Sequence, residues 1–215
     1  MNGVYQTTSN DFRETVAFRE NAEEGHFDAD YTVQAAPGLN LSAGGMVSPR
    51  FGIGAAISRF SRATPGALSG FIPHPFFFGA PRTISAEIAG LKREELAVHV
   101  QFRGVYPVTS RLSLTVIGGP SLFRVKQGMV TDFSYADSYP YDEATFQTAQ
   151  VTSATTSTIG FNVGGDVAFF FTRHVGVGLT TMVSRGSVDL AVADGRNAEI
   201  RIGGVHTGGG LRLRF

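Results

Sequence analysis

Six ionisable side chains could share one enclosed space. Glu95, His99, Arg103, Asp166, Arg212 and Arg214 fall on one face of their segments when those segments are read as β-strands. Glu95 and Asp166 can accept hydrogen bonds from Arg103, Arg212 and Arg214, with His99 nearby. Charges facing one another in a narrow space must pair, because an unpaired buried charge is costly. Such a set could gate a small conductance, or it could fill the space as a structural plug. A narrow barrel leaves little room for water beside its side chains, which favours the plug.

Other chemistry is harder to assemble. No Gly-x-Ser-x-Gly nucleophile elbow occurs, so the sequence names no catalytic residue; a Ser/His/Asp set brought together only in space stays open. Asp137, Asp142 and Glu143 crowd one segment but lack the spacing of a dedicated Ca²⁺ loop, so no metal and no cofactor is expected. Gly203-Gly204 and Gly208 to Gly210 are not followed by the Lys-Ser/Thr of a phosphate loop. Aromatic clusters are more informative. Phe76, Phe77 and Phe78 follow a proline-stiffened stretch, and Tyr139 and Tyr141 stand among acids in a second one. These five are candidate contact residues, since exposed apolar clusters mark interaction surfaces and tyrosine serves recognition. Packing of the two loops on one another, or a second aromatic girdle at the outer interface, would account for them equally well.

The elements that must position these groups are extended. Eight segments can be drawn. The first covers about Gly3 to Thr8, with a possible continuation through Val16 to Arg19. The second runs from Asp30 to Gly44, the third from Phe51 to Arg62, and the fourth from Ile84 or Leu96 to Tyr106. The fifth spans Leu112 to Tyr135, the sixth Thr155 to Phe171, the seventh Val175 to Val192 and the eighth Glu199 to Phe215. Short turns are expected at Val47 to Arg50, Pro107 to Ser110 and Thr172 to His174, with long connections between the other pairs, including a loop from Ala193 to Asn197. Leu91 to Ala97 contains good helix formers and could form a short helix instead. Pro37 and Pro120 lie inside strands, and each is expected to mark a bulge.

Sorting by parity gives a bulky apolar face and a small polar one. Leu39, Ile53, Val98, Leu114, Val163, Val177 and Leu211 belong to the first; Asn40, Gly54, His99, Ser113, Asn162, Gly178 and Arg212 belong to the second. A soluble barrel around an apolar ligand would show the same alternation with its apolar face inside. Three features favour the inverse. The polar face is rich in glycine, and 27 of 215 residues are glycine, close to twice the ordinary share of about 7%. Only Lys92 and Lys126 among 18 basic residues are lysines, although soluble surfaces carry many. Aromatics Phe51, Phe102, Tyr106, Phe169, Phe171 and Phe215 gather at the turn-side ends of the apolar face, as in an interfacial girdle. Formal net charge is zero, so nothing points to nucleic acid. Cysteine is absent, and no run of 18 apolar residues could form a transmembrane helix.

The last residues carry a specific signal. Gly208, Leu211, Leu213 and Phe215 combine a glycine, alternating apolar positions and a terminal aromatic. This pattern resembles the C-terminal insertion signal of bacterial outer-membrane barrels, and the whole chain resembles the small eight-stranded OmpA/OmpX/opacity-type proteins. The resemblance implies an all-β fold: an eight-stranded antiparallel up-and-down transmembrane β-barrel with short periplasmic turns and long extracellular loops, one domain over residues 1–215. It implies a monomer in the bacterial outer membrane, with outer-membrane lipid and the barrel-assembly machinery as partners and a further extracellular partner at the loops. Residues Met1 to Gly3 do not resemble a signal peptide, so the expectation is a mature chain with Met1 added. Members of this group act mostly as anchors, adhesins or envelope proteins. Some outer-membrane barrels modify lipid A, and a deacylase-like site would place serine two residues after histidine. The residues at that spacing are Asp28, Phe76, Gln101, Gly176 and Gly208. The reading from sequence is therefore a non-enzymatic envelope protein with a closed polar lumen, acting through its surface loops. The alternatives are a soluble barrel for an apolar ligand and a lipid-modifying enzyme or small channel.

Overall fold

Three short turns share one construction. Ser48, Thr109 and Thr172 each turn a hydroxyl back to accept a backbone N–H three residues on, at 3.1 Å from Phe51, 2.9 Å from Leu112 and 3.0 Å from Val175. This local bond competes with extended structure and reverses the chain. The strands they join are visible in a computed structural model, which describes residues 1–6, 11–191 and 197–215. The expected end of the first strand at Thr7-Thr8 and most of the expected loop from Ala193 fall outside the described residues.

Ten strands follow in order: β1 (Asn2–Gln6), β2 (Phe12–Glu20), β3 (Glu23–Tyr31), β4 (Ala36–Met46), β5 (Phe51–Ile72), β6 (Arg82–Pro107), β7 (Leu112–Asp137), β8 (Ala144–Phe170), β9 (Val175–Ala191) and β10 (Asn197–Leu213). Eight of them close a ring, in the order β5-β4-β1-β10-β9-β8-β7-β6 and back to β5. Every ladder is antiparallel. Closure removes free edges from this part of the sheet. The fold class is thus all-β, with an eight-stranded antiparallel barrel. Its three short turns and both described chain ends lie at one end; Leu211 donates its N–H to the Met1 carbonyl at 3.1 Å. Leu91 to Ala97 is strand, inside β6, and not a helix.

The other end departs from the expectation of loops. Strands β5 to β8 run 22 to 27 residues, against about 9–11 for crossing a bilayer. Their upper halves leave the ring and form a second layer structure. The β2–β3 hairpin pairs with the upper part of β5 through His26–Tyr31 and Gly66–Phe71, and β5 pairs with upper β6. The upper β7–β8 hairpin packs across this sheet. Between them lie Val16, Phe27, Tyr31, Leu68, Ile72, Ile84, Met129 and Val130, all buried. Phe133 and Tyr135, at the expected end of the fifth strand, and Phe146, in the long connection expected after it, pack against this core.

Two irregularities explain how one strand serves both layers. Between Thr64 and Gly66 the β5–β6 register shifts by one residue, with Ala89 and Gly90 opposing Pro65. Gly90 has φ +77°, which glycine adopts without a Cβ clash. Below the bulge the inward residues of β6 are odd-numbered, from Leu91 to His99; above it Arg82, Ile84 and Ile88 point inward instead. Pro120 and Pro37 behave differently from expectation: neither marks a bulge. Around Pro120 the β6–β7 register is the same on both sides, His99 opposite Ser121 and Phe102 opposite Gly118, with a gap in the ladder between. The Asn162 side chain reaches into that gap from inside the barrel. Its Nδ2 donates to the carbonyls of Val100 at 3.3 Å, Gly119 at 2.9 Å and Pro120 at 3.2 Å. It supplies the donor that proline lacks. Pro37 lies one residue before the β4–β5 ladder begins, paired with Tyr5 of β1 on its other side.

Candidate functional site: an inverted barrel with a polar plug and an aromatic tip

Burial along the ring strands is the reverse of a soluble barrel. Leu39, Ile53, Val100, Val163, Leu179 and Leu211 point outward and are about half exposed or more, while Ser58, His99, Gln101, Asn162, Ser184 and Asp166 are buried inside. His99 is 0% exposed. The outer band continues to the turn-side end, where Phe51, Phe102, Tyr106, Phe169, Phe171 and Phe215 are all exposed. Phe169 and Phe171 meet edge to face at 5.4 Å.

The lumen is filled in tiers. Nearest the turns, Arg212 holds Asp166 through both Nε and Nη2, and also donates to Thr180 Oγ1 at 2.7 Å and to Asn2 Oδ1. Arg103 lines the same vestibule, a space of about 440 Å³ open toward the turns. The next tier is neutral. His99 stands between two serines, Nε2 to Ser58 Oγ at 2.9 Å and Nδ1 to Ser121 Oγ at 2.7 Å. Ser184 Oγ meets His206 Nε2 at 3.2 Å. Above it, Glu95 accepts from Arg93 Nε at 2.6 Å and from the Gly203 N–H at 3.2 Å, and Arg93 Nη2 donates to the Arg201 carbonyl at 2.9 Å. Phe123, Ala97, Val125 and Ile202 pack beside this pair. The space left there is about 10 Å³, lined by Phe60, Glu95 and Phe123 among others. That is scarcely one water.

The expected charge network is therefore only partly assembled. Asp166 and Arg212 meet. Glu95 takes its partner from its own strand, two residues away, and not from Arg103, Arg212 or Arg214. Arg214 is not in the lumen. It follows the last residue of β10, donates from Nε to the Arg173 carbonyl at 3.2 Å, and lies over the Phe170 ring at 4.4 Å. Leaving the strand frees it from the alternation that placed it inside. Sequence reasoning placed Ser58 and Asn162 on the polar face without their roles, and missed Arg93 and Ser121. Arg93 has the same parity as Glu95, which is the one signal that could have found it. The serine contacts cross strands and have no local signature. Both ring nitrogens of His99 meet serine hydroxyls, an arrangement that orients the ring.

At the far end two connections are tied into one tip. Buried Arg82 donates to the Asp137 carboxylate, to the Pro73 carbonyl at 3.1 Å and to the Tyr141 carbonyl at 3.4 Å, with its guanidinium over the Tyr135 ring at 5.7 Å. Buried His74 accepts the N–H groups of Phe76 and Phe77 through Nδ1, at 3.1 and 3.2 Å. Gly79 donates to Glu23 of the β2–β3 hairpin at 2.8 Å. Asp137 is thus engaged by arginine, and Asp142 stands 4.0 Å from His74. On this scaffold Phe76, Phe77, Phe78 and Tyr139 are exposed, and Tyr141 lies between, edge-on to Phe76 at 5.3 Å. Below the tip, burial raises the phenol pKa of Tyr31, whose oxygen accepts the Val130 N–H at 2.9 Å. Burial also raises that of Tyr135, which donates to Glu20 at 2.7 Å.

These features define a class: an inverted, closed β-barrel of eight strands that carries a β-sandwich on the end opposite its turns. Among solved structures, the chain is similar to Ail, the attachment invasion locus protein of Yersinia pestis, determined in complex with the heparin analogue sucrose octasulfate. The likeness covers 99% of this chain and 100% of that one, at 12% identity and a TM-score of 0.41. No family model and no curated protein matches the sequence. The barrel is defined by its own ladders and burial.

Proposed function

We propose that this chain is a monomeric, single-domain bacterial outer-membrane protein whose barrel carries, through the sandwich above it, an aromatic contact surface outside the cell. The observation that carries this reading is the inversion of burial: bulky apolar side chains outside, hydrogen-bonded polar ones inside. Water would not tolerate that outer band, and a bilayer core would. The same inversion opposes a soluble barrel for an apolar ligand, which needs its bulky face within. The tiers of the lumen act as a plug and not as a channel, given the 10 Å³ left beside Glu95. Gly208, Leu211, Leu213 and Phe215 form the signal for the assembly machinery; Leu211, Leu213 and Phe215 are exposed at the turn-side end. The six turn-side aromatics form the periplasmic girdle. Phe76, Phe77, Phe78, Tyr139 and Tyr141 form the contact surface, held by Arg82 and His74. No residue is assigned a catalytic role.

The test is folding as a function of amphiphile. The purified chain should fold only with detergent or lipid, and should migrate faster on a gel when unheated than when boiled. A monomer that folds in plain buffer would overturn the reading.

A further inference from the structure

The outer wall changes chemistry abruptly on one side of the barrel. Cross-strand registers place Ile57, Val98, Leu122 and Ile159 in one row over β5, β6, β7 and β8. The next row up is Arg59, Leu96, Arg124 and Ser157, and the one above it is Ser61, Glu94, Lys126 and Thr155. All three rows point outward. A groove of about 360 Å³ lies along Leu96, Val98, Leu122 and Ile159. A second, of about 300 Å³, is lined by Arg59, Arg124, Lys126 and Glu94, and shares Leu96 and Arg124 with the first. One continuous surface thus runs from apolar to cationic within two rows.

The carboxylate of Glu94 is attracted chiefly by Lys92 and more weakly by Lys126 and Arg59. Glu94 is bonded to Lys92 at 2.7 Å. Among the described residues, no carboxylate pairs with Arg59, Arg124 or Lys126. Two arginines and a lysine, from β5 and β7 on either side of β6, converge on one opening. That gives three donors for anionic oxygen, directly above a wall that suits hydrocarbon.

We propose that this surface is a binding site for one phosphorylated lipid of the outer-facing leaflet. Its phosphate is held by Arg59, Arg124 and Lys126, and its acyl chains lie along Ile57, Val98, Leu122 and Ile159. The proposal rests on the membrane reading above, since only a bilayer brings both halves of such a ligand to this height.

The test compares two charge-matched variants in nanodiscs of mixed phosphatidylglycerol and phosphatidylcholine. One is R59Q/R124Q/K126Q. The other is R50Q/R111Q/R173Q, which removes three exposed arginines from the turns at the opposite rim. Insertion is checked first by heat-modifiable migration, and lipid retained after release into detergent is counted by native mass spectrometry. The parent and the turn variant should each retain one phosphatidylglycerol, preferred by about tenfold or more over phosphatidylcholine. R59Q/R124Q/K126Q should lose that preference, and inorganic phosphate should not displace the lipid from the parent. Equal loss in both variants would overturn the site in favour of general charge. A parent without preference would overturn it too, and displacement by phosphate would overturn the lipid half of it. Failure of the parent to insert would strike the membrane reading instead. If R59Q/R124Q/K126Q does not insert, R124Q and K126Q singly carry the same comparison.

Discussion

Replacing Phe27 by alanine should open the sandwich and leave the barrel closed. Phe27 is 2% exposed. Its ring stands between the β3 sheet and the β7–β8 hairpin, edge-on to Phe133 at 5.1 Å. Removing a fully buried phenyl ring costs about 3–5 kcal/mol, the sum of lost transfer energy and a cavity that collapses only in part. The ring strands below share none of that contact, so the cost falls on the upper layer alone. At 1.4 kcal/mol per decade, the open sandwich becomes roughly a hundredfold to a few thousandfold more populated. Limited trypsin digestion in detergent reads that population when closing is faster than cleavage. Cleavage after Arg13 and Arg19 of β2 should accelerate by a comparable factor, while a core containing the ring strands resists digestion and keeps its heat-modifiable migration. Unchanged cleavage would show that Phe27 does not hold the layers together. Simultaneous loss of the barrel would show that the two layers form one cooperative unit, and would refute the reasoning.

Two further outcomes follow from the polar contacts. Asn162→Leu should destabilise the barrel by about 2 kcal/mol, measured by urea unfolding in lipid vesicles, because the carbonyls beside the ladder gap at Pro120 lose their donor; P120A alongside it should recover part of the loss by returning a backbone N–H. Tyr31 and Tyr135 have raised phenol pKa values, chiefly from burial. The folded state then holds protons that the unfolded state releases above about pH 10, so their contribution is complete below that pH and is lost as pH rises through the folded-state values. Ultraviolet titration should show these two phenols ionising after the others, with trypsin sensitivity of β2 rising in the same range; ionisation of all six tyrosines together would refute it.

Alternation of apolar and small polar residues is local, and it carried much of the lower barrel. Strands such as Phe51 to Ser58 or Phe161 to Phe170 keep one parity throughout, so their two faces could be read without a partner. The upper layer could not be read in this way. The one-residue bulge at Ala89-Gly90 switches the parity of β6 midway, and a pattern that changes phase looks like a loop or a short helix. Proline misled in the opposite direction. Pro120 was expected to bulge, but a side chain from a neighbouring strand repairs its missing hydrogen bond, and no local feature announces Asn162.

Sequence alone determined the period of two, the small polar face, the hydroxyl turns at Ser48, Thr109 and Thr172, and the outward line Leu211, Leu213, Phe215. Each of these depends on the preferences of a few consecutive residues. Tertiary structure decided what meets across strands: Glu95 with Arg93 and Gly203, His99 between Ser58 and Ser121, Arg214 on Phe170 outside the lumen. It also decided which face is out. Alternation is the same whichever face encloses the core; glycine on the polar face and the turn-side aromatics favoured the apolar face outside, and the closed ring of eight strands has it there, with the polar face left to plug the barrel.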